Sequence, residues 1–171
     1  HKMWKVHTHL SPKANNLHEE IRQIKRLKSG KKVLRKHYDH DTGNFTEPLP
    51  IYPNKVILFE GLHPFYISAK RELFDLKVFI SPNEDLRLNW KITRDKAKRG
   101  YSQKKIIDQI KFREADSNKY IKPQAEFADI IITYFSLNPI SEEADSEIDL
   151  GLRISFETSI NFEIMHQFEL Y

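Results

Sequence analysis

The chain has 171 residues and a mass of 20.3 kDa, enough for one compact domain, with 39% hydrophobic and 30% charged residues. That much apolar material excludes a wholly disordered chain, and no apolar run reaches the length a membrane-spanning helix needs. The absence of cysteine excludes disulfides, thiolate zinc sites and thiol catalysis within these residues, and points to the cytoplasm.

The net charge of +4 conceals an asymmetry: residues 1–122 carry +13 and residues 123–171 carry −9. Such a split fits an anionic partner for the first part, or two oppositely charged surfaces that pack together. Nucleic acid is not the expected partner, because the basic residues lack interleaved aromatics or a reader pattern.

In chain order, Leu17, Ile21, Ile24 and Leu27 recur in steps of four and three and predict a helix over residues 15–28, stopped at Ser29-Gly30. Residues 32–50 hold an Asp41-Thr42-Gly43 turn and read as a short irregular hairpin. Val56-Ile57-Leu58-Phe59, closed by Glu60-Gly61, suits a buried parallel strand. A helix is expected over His63–Phe74, a strand over Leu76–Ile80, and a basic helix over Pro82–Arg99 ended by Gly100. A further helix, Ser102–Asn118, starts at a serine cap. A third strand follows over Ala128–Phe135, then an acidic loop over Ser141–Asp149 and two strands near residues 150–156 and 160–170. Alternating strands and helices predict an α/β layer with a parallel sheet flanked by helices, ending in an antiparallel β tail. Ligands of such sheets sit beyond the carboxyl ends of the strands, where Glu60 is expected.

Three segments hold chemistry-bearing residues. An acid directly after a buried strand can hold magnesium among phosphate oxygens, although an acid that ends a strand commonly just faces water. On a helix, Lys91 and Arg94 share a face that continues to Lys98, with Arg99 beside the terminating glycine. Such a face can neutralise a transferring phosphoryl group, or it can be a solvated surface with Asp95 pairing locally. Tyr38-Asp39-His40-Asp41-Thr42-Gly43 can hold a polyol or phosphate, or can be a polar turn. His7, His9, His37 and His40 lack the spacing of a metal site.

Together with Thr8-His9-Leu10-Ser11-Pro12-Lys13-Ala14-Asn15-Asn16, Glu60-Gly61-Leu62-His63-Pro64 and Trp90 to Gly100, these segments resemble the phosphoribulokinase/uridine kinase family, most closely its phosphoribulokinase branch. Ala115-Asp116, Tyr120-Ile121, Pro123-Gln124 and Ala128-Asp129 extend the resemblance, which runs in order over roughly residues 8–135. It implies a P-loop-kinase-like fold and an ATP- and Mg2+-dependent kinase acting on a sugar phosphate, typically ribulose 5-phosphate. The alternatives are a uridine or other small-molecule kinase, or a non-catalytic binding or assembly module that keeps the fold. By the same resemblance Glu60 is a metal-binding and catalytic carboxylate, and Lys91 and Arg94 are catalytic lid residues. His40, Tyr38, His63 and Arg99 are substrate-binding.

The family's Gly-x-x-x-x-Gly-Lys-Ser/Thr loop is not in this sequence, whose Gly30-Lys31 is followed by Lys32. The expectation is therefore a single incomplete kinase-like domain over residues 1–171, with residues 136–171 as acidic loop and β tail. It is expected to be inactive alone, with the tail free to pair across a homo-oligomer.

Overall fold

The structure is a computed structural model that describes residues 8–39, 42–140 and 148–157. Two assemblies of elements dominate it.

The first is built on helix α1 (Leu17–Lys28). The Asn16 side chain caps it by accepting from the Glu19 N–H at 3.2 Å, and Glu19 and Glu20 complement the positive end of the helix dipole. Leu17, Ile24 and Leu27 form its buried face, as their spacing requires. The chain leaves through Gly30 at φ 75°, a left-handed conformation natural to glycine. It then forms a nested hairpin. Strand β1 (Val33–Arg35) pairs antiparallel with β4 (Leu49–Ile51), and outside them β2 (Tyr38–Asp39) pairs with β3 (Asn44–Phe45). The expected hairpin over residues 32–50 is present.

The second assembly is a three-stranded sheet with helices against it. Strand β5 (Val78–Ile80) runs parallel to β6 (Ile130–Ser136), with Val78 opposite Ile130. Strand β7 (Leu150–Phe156) joins the other edge of β6 antiparallel. Asp129 sets the register of the parallel pair, because its carboxylate accepts from the Lys77 N–H at 2.7 Å and from Lys77 Nζ at 2.8 Å. In β7, Gly151 faces the Phe135 ring so closely that a Cβ would collide with it. Helix α3 (Glu84–Arg99) lies against the sheet through Trp90, whose ring meets Tyr134 edge-on at 6.1 Å. It ends at Gly100, φ 61°, and α4 (Gln103–Asp116) follows from the Ser102 cap. Leu86 and Ile106, both fully buried, form the core between these helices and the sheet. After α4 the chain makes a π-helical turn, Ser117–Ile121, and a 3-10 segment, Lys122–Phe127. The α/β architecture with a parallel pair and an antiparallel tail is as expected. The strand expected over residues 160–170 lies outside the described residues.

Two expectations are corrected. Residues 56–59 form no ladder, and Leu58 is 89% exposed. An apolar run becomes a buried parallel strand only with hydrogen-bonded neighbours and cover on both faces. Among the described residues no strand pairs with this run, so Glu60 follows an irregular segment rather than a strand. Only Phe59 is anchored, against Phe74 at 5.7 Å between ring centroids. The helix expected over His63–Phe74 shrinks to α2 (Ser68–Arg71), because Ile67 is extended (ψ 127°) and the backbone of Leu62–Phe65 is bonded by side chains instead of by a helix.

Candidate functional site

The strongest electrostatic feature lies on α3. Asp95 is fully buried, and three basic side chains converge on its carboxylate. Lys91 Nζ donates to Oδ2 at 2.9 Å and Arg94 Nε to Oδ1 at 2.9 Å, while Arg99 Nη1 stands 3.5 Å from Oδ1. Lys91 and Arg99 reach it because they lie one helical turn before and after it. Burial raises the pKa of Asp95. The hydrogen bonds and charges of Lys91 and Arg94 outweigh that and bring it down to about 2. Arg113 of α4 faces the same group: burial lowers its pKa, the Asp95 charge opposes this, and the charges of Arg99 and Arg94 add to the lowering. One carboxylate therefore organises an excess of positive charge. The Arg94 and Arg99 side chains stay 52% and 41% exposed, so the patch is open to an anion.

Three residues predicted from the sequence, Lys91, Arg94 and Arg99, are thus brought together. Asp95, read from the sequence only as a local pairing partner, is what gathers them. The signal that could have revealed it is its i±4 spacing to Lys91 and Arg99.

Glu60 occupies a different element. Its carboxylate is exposed and makes no hydrogen bond or ion pair with another described residue, so its lone pairs are available to a cation. Among the described residues no cluster of three His, Asp or Glu could hold a metal by itself. A lone carboxylate fits Mg2+, which keeps several waters and takes its other ligands from phosphates. No hydrogen bond or ion pair joins the Glu60 segment to the Asp95 cluster among the described residues.

His63 is bonded within the chain. It is buried, and its Nε2–H donates to the Leu10 carbonyl at 2.8 Å while Nδ1 accepts from Asn15 Nδ2 at 3.3 Å. This is the tautomer in which both ring nitrogens are used, leaving none for a ligand. Burial is the largest influence on its pKa and lowers it, so it stays neutral. Beneath it, Lys70 is 1% exposed. Its ammonium bonds Glu20 and the His63 carbonyl (3.1 Å), and lies 4.6 Å from the centroid of the Phe59 ring. Burial lowers the Lys70 pKa, and the bond to Glu20 opposes that.

Tyr38 lies on the hairpin, half-exposed, with its ring edge-on to Phe45 at 5.5 Å. His40 lies outside the described residues. Thr42 Oγ1 donates to Asp39 Oδ2 at 2.9 Å.

Hydrogen bonds tie several of the remaining segments of the resemblance together. Thr8 Oγ1 donates to Asp116 Oδ2 at 2.7 Å, His63 binds Leu10 and Asn15, and Gln124 bonds the backbone of residues 62, 65 and 120. A separate cleft of about 500 Å³ opens at the carboxyl end of β6, lined by Asn83, Asp85, Leu86, Ser136 and Asn138 among others. None of its lining residues is basic, so it does not suit a phosphate.

Comparison with known proteins places these features in context. The model of the phosphoribulokinase/uridine kinase family matches residues 2–141. A phosphoribulokinase from Synechocystis sp. is 39% identical over 91% of this chain and 46% of its own length. The chloroplastic phosphoribulokinase of Spinacia oleracea is 34% identical over 91% of this chain and 38% of its length. A uridine kinase from Macrococcus caseolyticus is 32% identical over 71% of this chain and 60% of its length. Among solved structures, a phosphoribulokinase from Rhodobacter spheroides superposes with a TM-score of 0.69 at 25% identity, covering 95% of this chain and 63% of that one. The chain thus spans less than half the length of the Synechocystis and Spinacia phosphoribulokinases.

Proposed function

The chain belongs to the phosphoribulokinase/uridine kinase family, and from that premise we propose that the protein containing it transfers the γ-phosphoryl group of ATP to a sugar-phosphate hydroxyl, with ribulose 5-phosphate as acceptor. The observation that carries the proposal is the convergence of Lys91, Arg94 and Arg99 on the buried Asp95. Phosphoryl transfer spreads negative charge over several oxygens, and catalysis consists largely of positioned positive charge. Asp95 fixes the three cations before substrate arrives, so little reorganisation remains at the moment of transfer.

In this reading Lys91 and Arg94 face the transferring phosphoryl group, and Arg99 meets the phosphate already on the acceptor. Glu60 holds Mg2+ directly or through its water shell. When bound, the ion neutralises charge on the phosphate oxygens. Tyr38, on the hairpin, and His40 contact the acceptor. His63 keeps the Glu60 segment in place rather than touching substrate. Identity is 39% and 34% to the Synechocystis and Spinacia phosphoribulokinases, against 32% to the Macrococcus uridine kinase, which supports a sugar phosphate over a nucleoside.

The test is phosphoryl transfer by the full-length protein with Mg2+-ATP, comparing ribulose 5-phosphate, uridine and other sugars. The expected result is Mg2+-dependent phosphorylation of ribulose 5-phosphate in preference to uridine. Transfer to uridine alone overturns the acceptor, and transfer to none overturns the enzymatic reading in favour of a binding or assembly module.

A further inference from the structure

We propose that Gln124 is a positioning residue for Glu60, an inference that rests on the kinase reading above. Gln124 lies in the 3-10 segment after α4 and is 3% exposed. Its side-chain amide is used on both sides. Nε2 donates to the Leu62 carbonyl at 2.9 Å and to the Tyr120 carbonyl at 2.7 Å, and Oε1 accepts from the Phe65 N–H at 2.9 Å. Both donors of the amide are therefore spent on backbone groups. Leu62 and Phe65 lie in no helix or strand. Without Gln124 their polar groups lose these partners, which is costly wherever water cannot replace them.

The link to Glu60 is short. Only Gly61 separates Glu60 from Leu62, and glycine transmits no side-chain restraint of its own. The Glu60 carboxylate makes no hydrogen bond or ion pair with another described residue, so its direction is set by the backbone on either side. On the amino side, Phe59 is held by Phe74 and the Lys70 ammonium. On the carboxyl side, the first restraint is the bond from Gln124 to the Leu62 carbonyl.

The same amide also grips Tyr120, in the turn that continues α4. Helix α4 packs on α3, whose Asp95 gathers the cationic cluster. Gln124 thus fastens the segment bearing the carboxylate to the helices bearing the cations, although no hydrogen bond or ion pair joins those two groups directly among the described residues. Displacement of a reacting group by about 1 Å costs on the order of a hundredfold in rate, so a residue that never meets substrate can govern turnover.

The experiment compares Gln124→Leu, Gln124→Glu and Leu27→Ala in the full-length protein. Gln124→Leu removes all three hydrogen bonds. Gln124→Glu keeps an acceptor for Phe65 N–H but sets a carboxylate against two carbonyls; it carries the test if Gln124→Leu does not fold. Leu27→Ala empties a buried site on α1 away from this junction and controls for lost stability. Three readouts are taken: amide hydrogen exchange over residues 60–66 without ligand, turnover per folded molecule, and the Mg2+ and acceptor concentrations for half-saturation.

For Gln124→Leu, exchange at the Phe65 amide rises by about tenfold or more, turnover falls by about tenfold or more, and the Mg2+ requirement rises, with acceptor KM within about twofold of wild type. Gln124→Glu loses turnover at neutral pH and regains part of it as pH falls, because a protonated carboxyl restores one donor. Leu27→Ala keeps turnover within about twofold. Unchanged exchange at residues 60–66 overturns the proposal, as does wild-type turnover and Mg2+ requirement in a folded Gln124→Leu protein, or an equal loss of turnover in Leu27→Ala. Absence of phosphoryl transfer by the wild-type protein overturns the kinase reading instead, and hydrogen exchange then still decides whether Gln124 holds the segment.

Discussion

Replacing Asp95 by asparagine removes one negative charge from beneath three basic side chains while keeping shape and an acceptor oxygen. The carboxylate is fully buried and has its pKa brought to about 2 from an ordinary 3.8. By proton linkage that difference corresponds to about 2 kcal/mol of native stability at neutral pH. The sign is that of a depressed acid. The stabilisation is complete above the unfolded-state pKa near 4 and disappears as pH falls through the folded-state value near 2. At pH 3 roughly half of it remains. The assay is urea denaturation of the full-length wild type and Asp95→Asn protein between pH 7 and pH 3. The variant is expected to be about 2 kcal/mol less stable at pH 7, with the gap narrowing by about half at pH 3. Turnover falls as well, because Lys91 and Arg94 lose the anchor that holds them. A stability gap below about 0.5 kcal/mol at pH 7, or one that does not change between pH 7 and pH 3, refutes the electrostatic account of the cluster.

Glu60→Gln is expected to cut turnover by about a hundredfold or more with a melting temperature within a degree or two of wild type, since the side chain is exposed and has no hydrogen-bond or ion-pair partner among the described residues; parallel loss of both refutes its catalytic assignment. Lys91→Ala should cost more stability than Arg94→Ala, because the Lys91 side chain is 13% exposed and that of Arg94 is 52% exposed; equal melting temperatures count against this. Lys70→Met and Glu20→Leu should each destabilise by about 3 kcal/mol, and the double variant by far less, because a lone buried charge is costlier than an apolar pair; additive losses in chemical denaturation contradict it. Burial lowers the His63 pKa below 6.5, so its contribution is present above that pH and is lost as the solution is acidified. Stability between pH 7.5 and 5 should therefore fall less in His63→Leu than in wild type, and an identical slope rules out a buried neutral histidine.

Local rules carried α1, α3 and α4 from sequence to structure almost unchanged. Each has a polar residue at its N-cap, Asn16, Asn83 or Ser102; Asn16 and Ser102 accept a capping hydrogen bond; and α3 closes on a left-handed Gly100. Their cause is contained within a turn or two of chain, so the spacing of a dozen residues suffices. The basic face of α3 was visible for the same reason. The run at residues 56–59 was not, because its apolarity specifies burial but not what lies beside it.

The sequence by itself therefore determined helices α1, α3 and α4, the Ser102 cap, the charge split, the parallel character of a sheet with strands near residues 76–80 and 128–135, and the residue types that suit phosphoryl transfer. Tertiary structure alone decided how they are held. Asp95 became a buried anchor because folding takes its carboxylate out of water, where its bonds to Lys91 and Arg94 count for more. His63 became a cross-link because Leu10 and Asn15 lie 53 and 48 residues away in sequence. Gln124 became a clamp because Leu62 lies 62 residues upstream and beside it in space. Hydrogen bonds and desolvation act over a few ångströms, and which groups come that close is set by the folded chain rather than by sequence spacing.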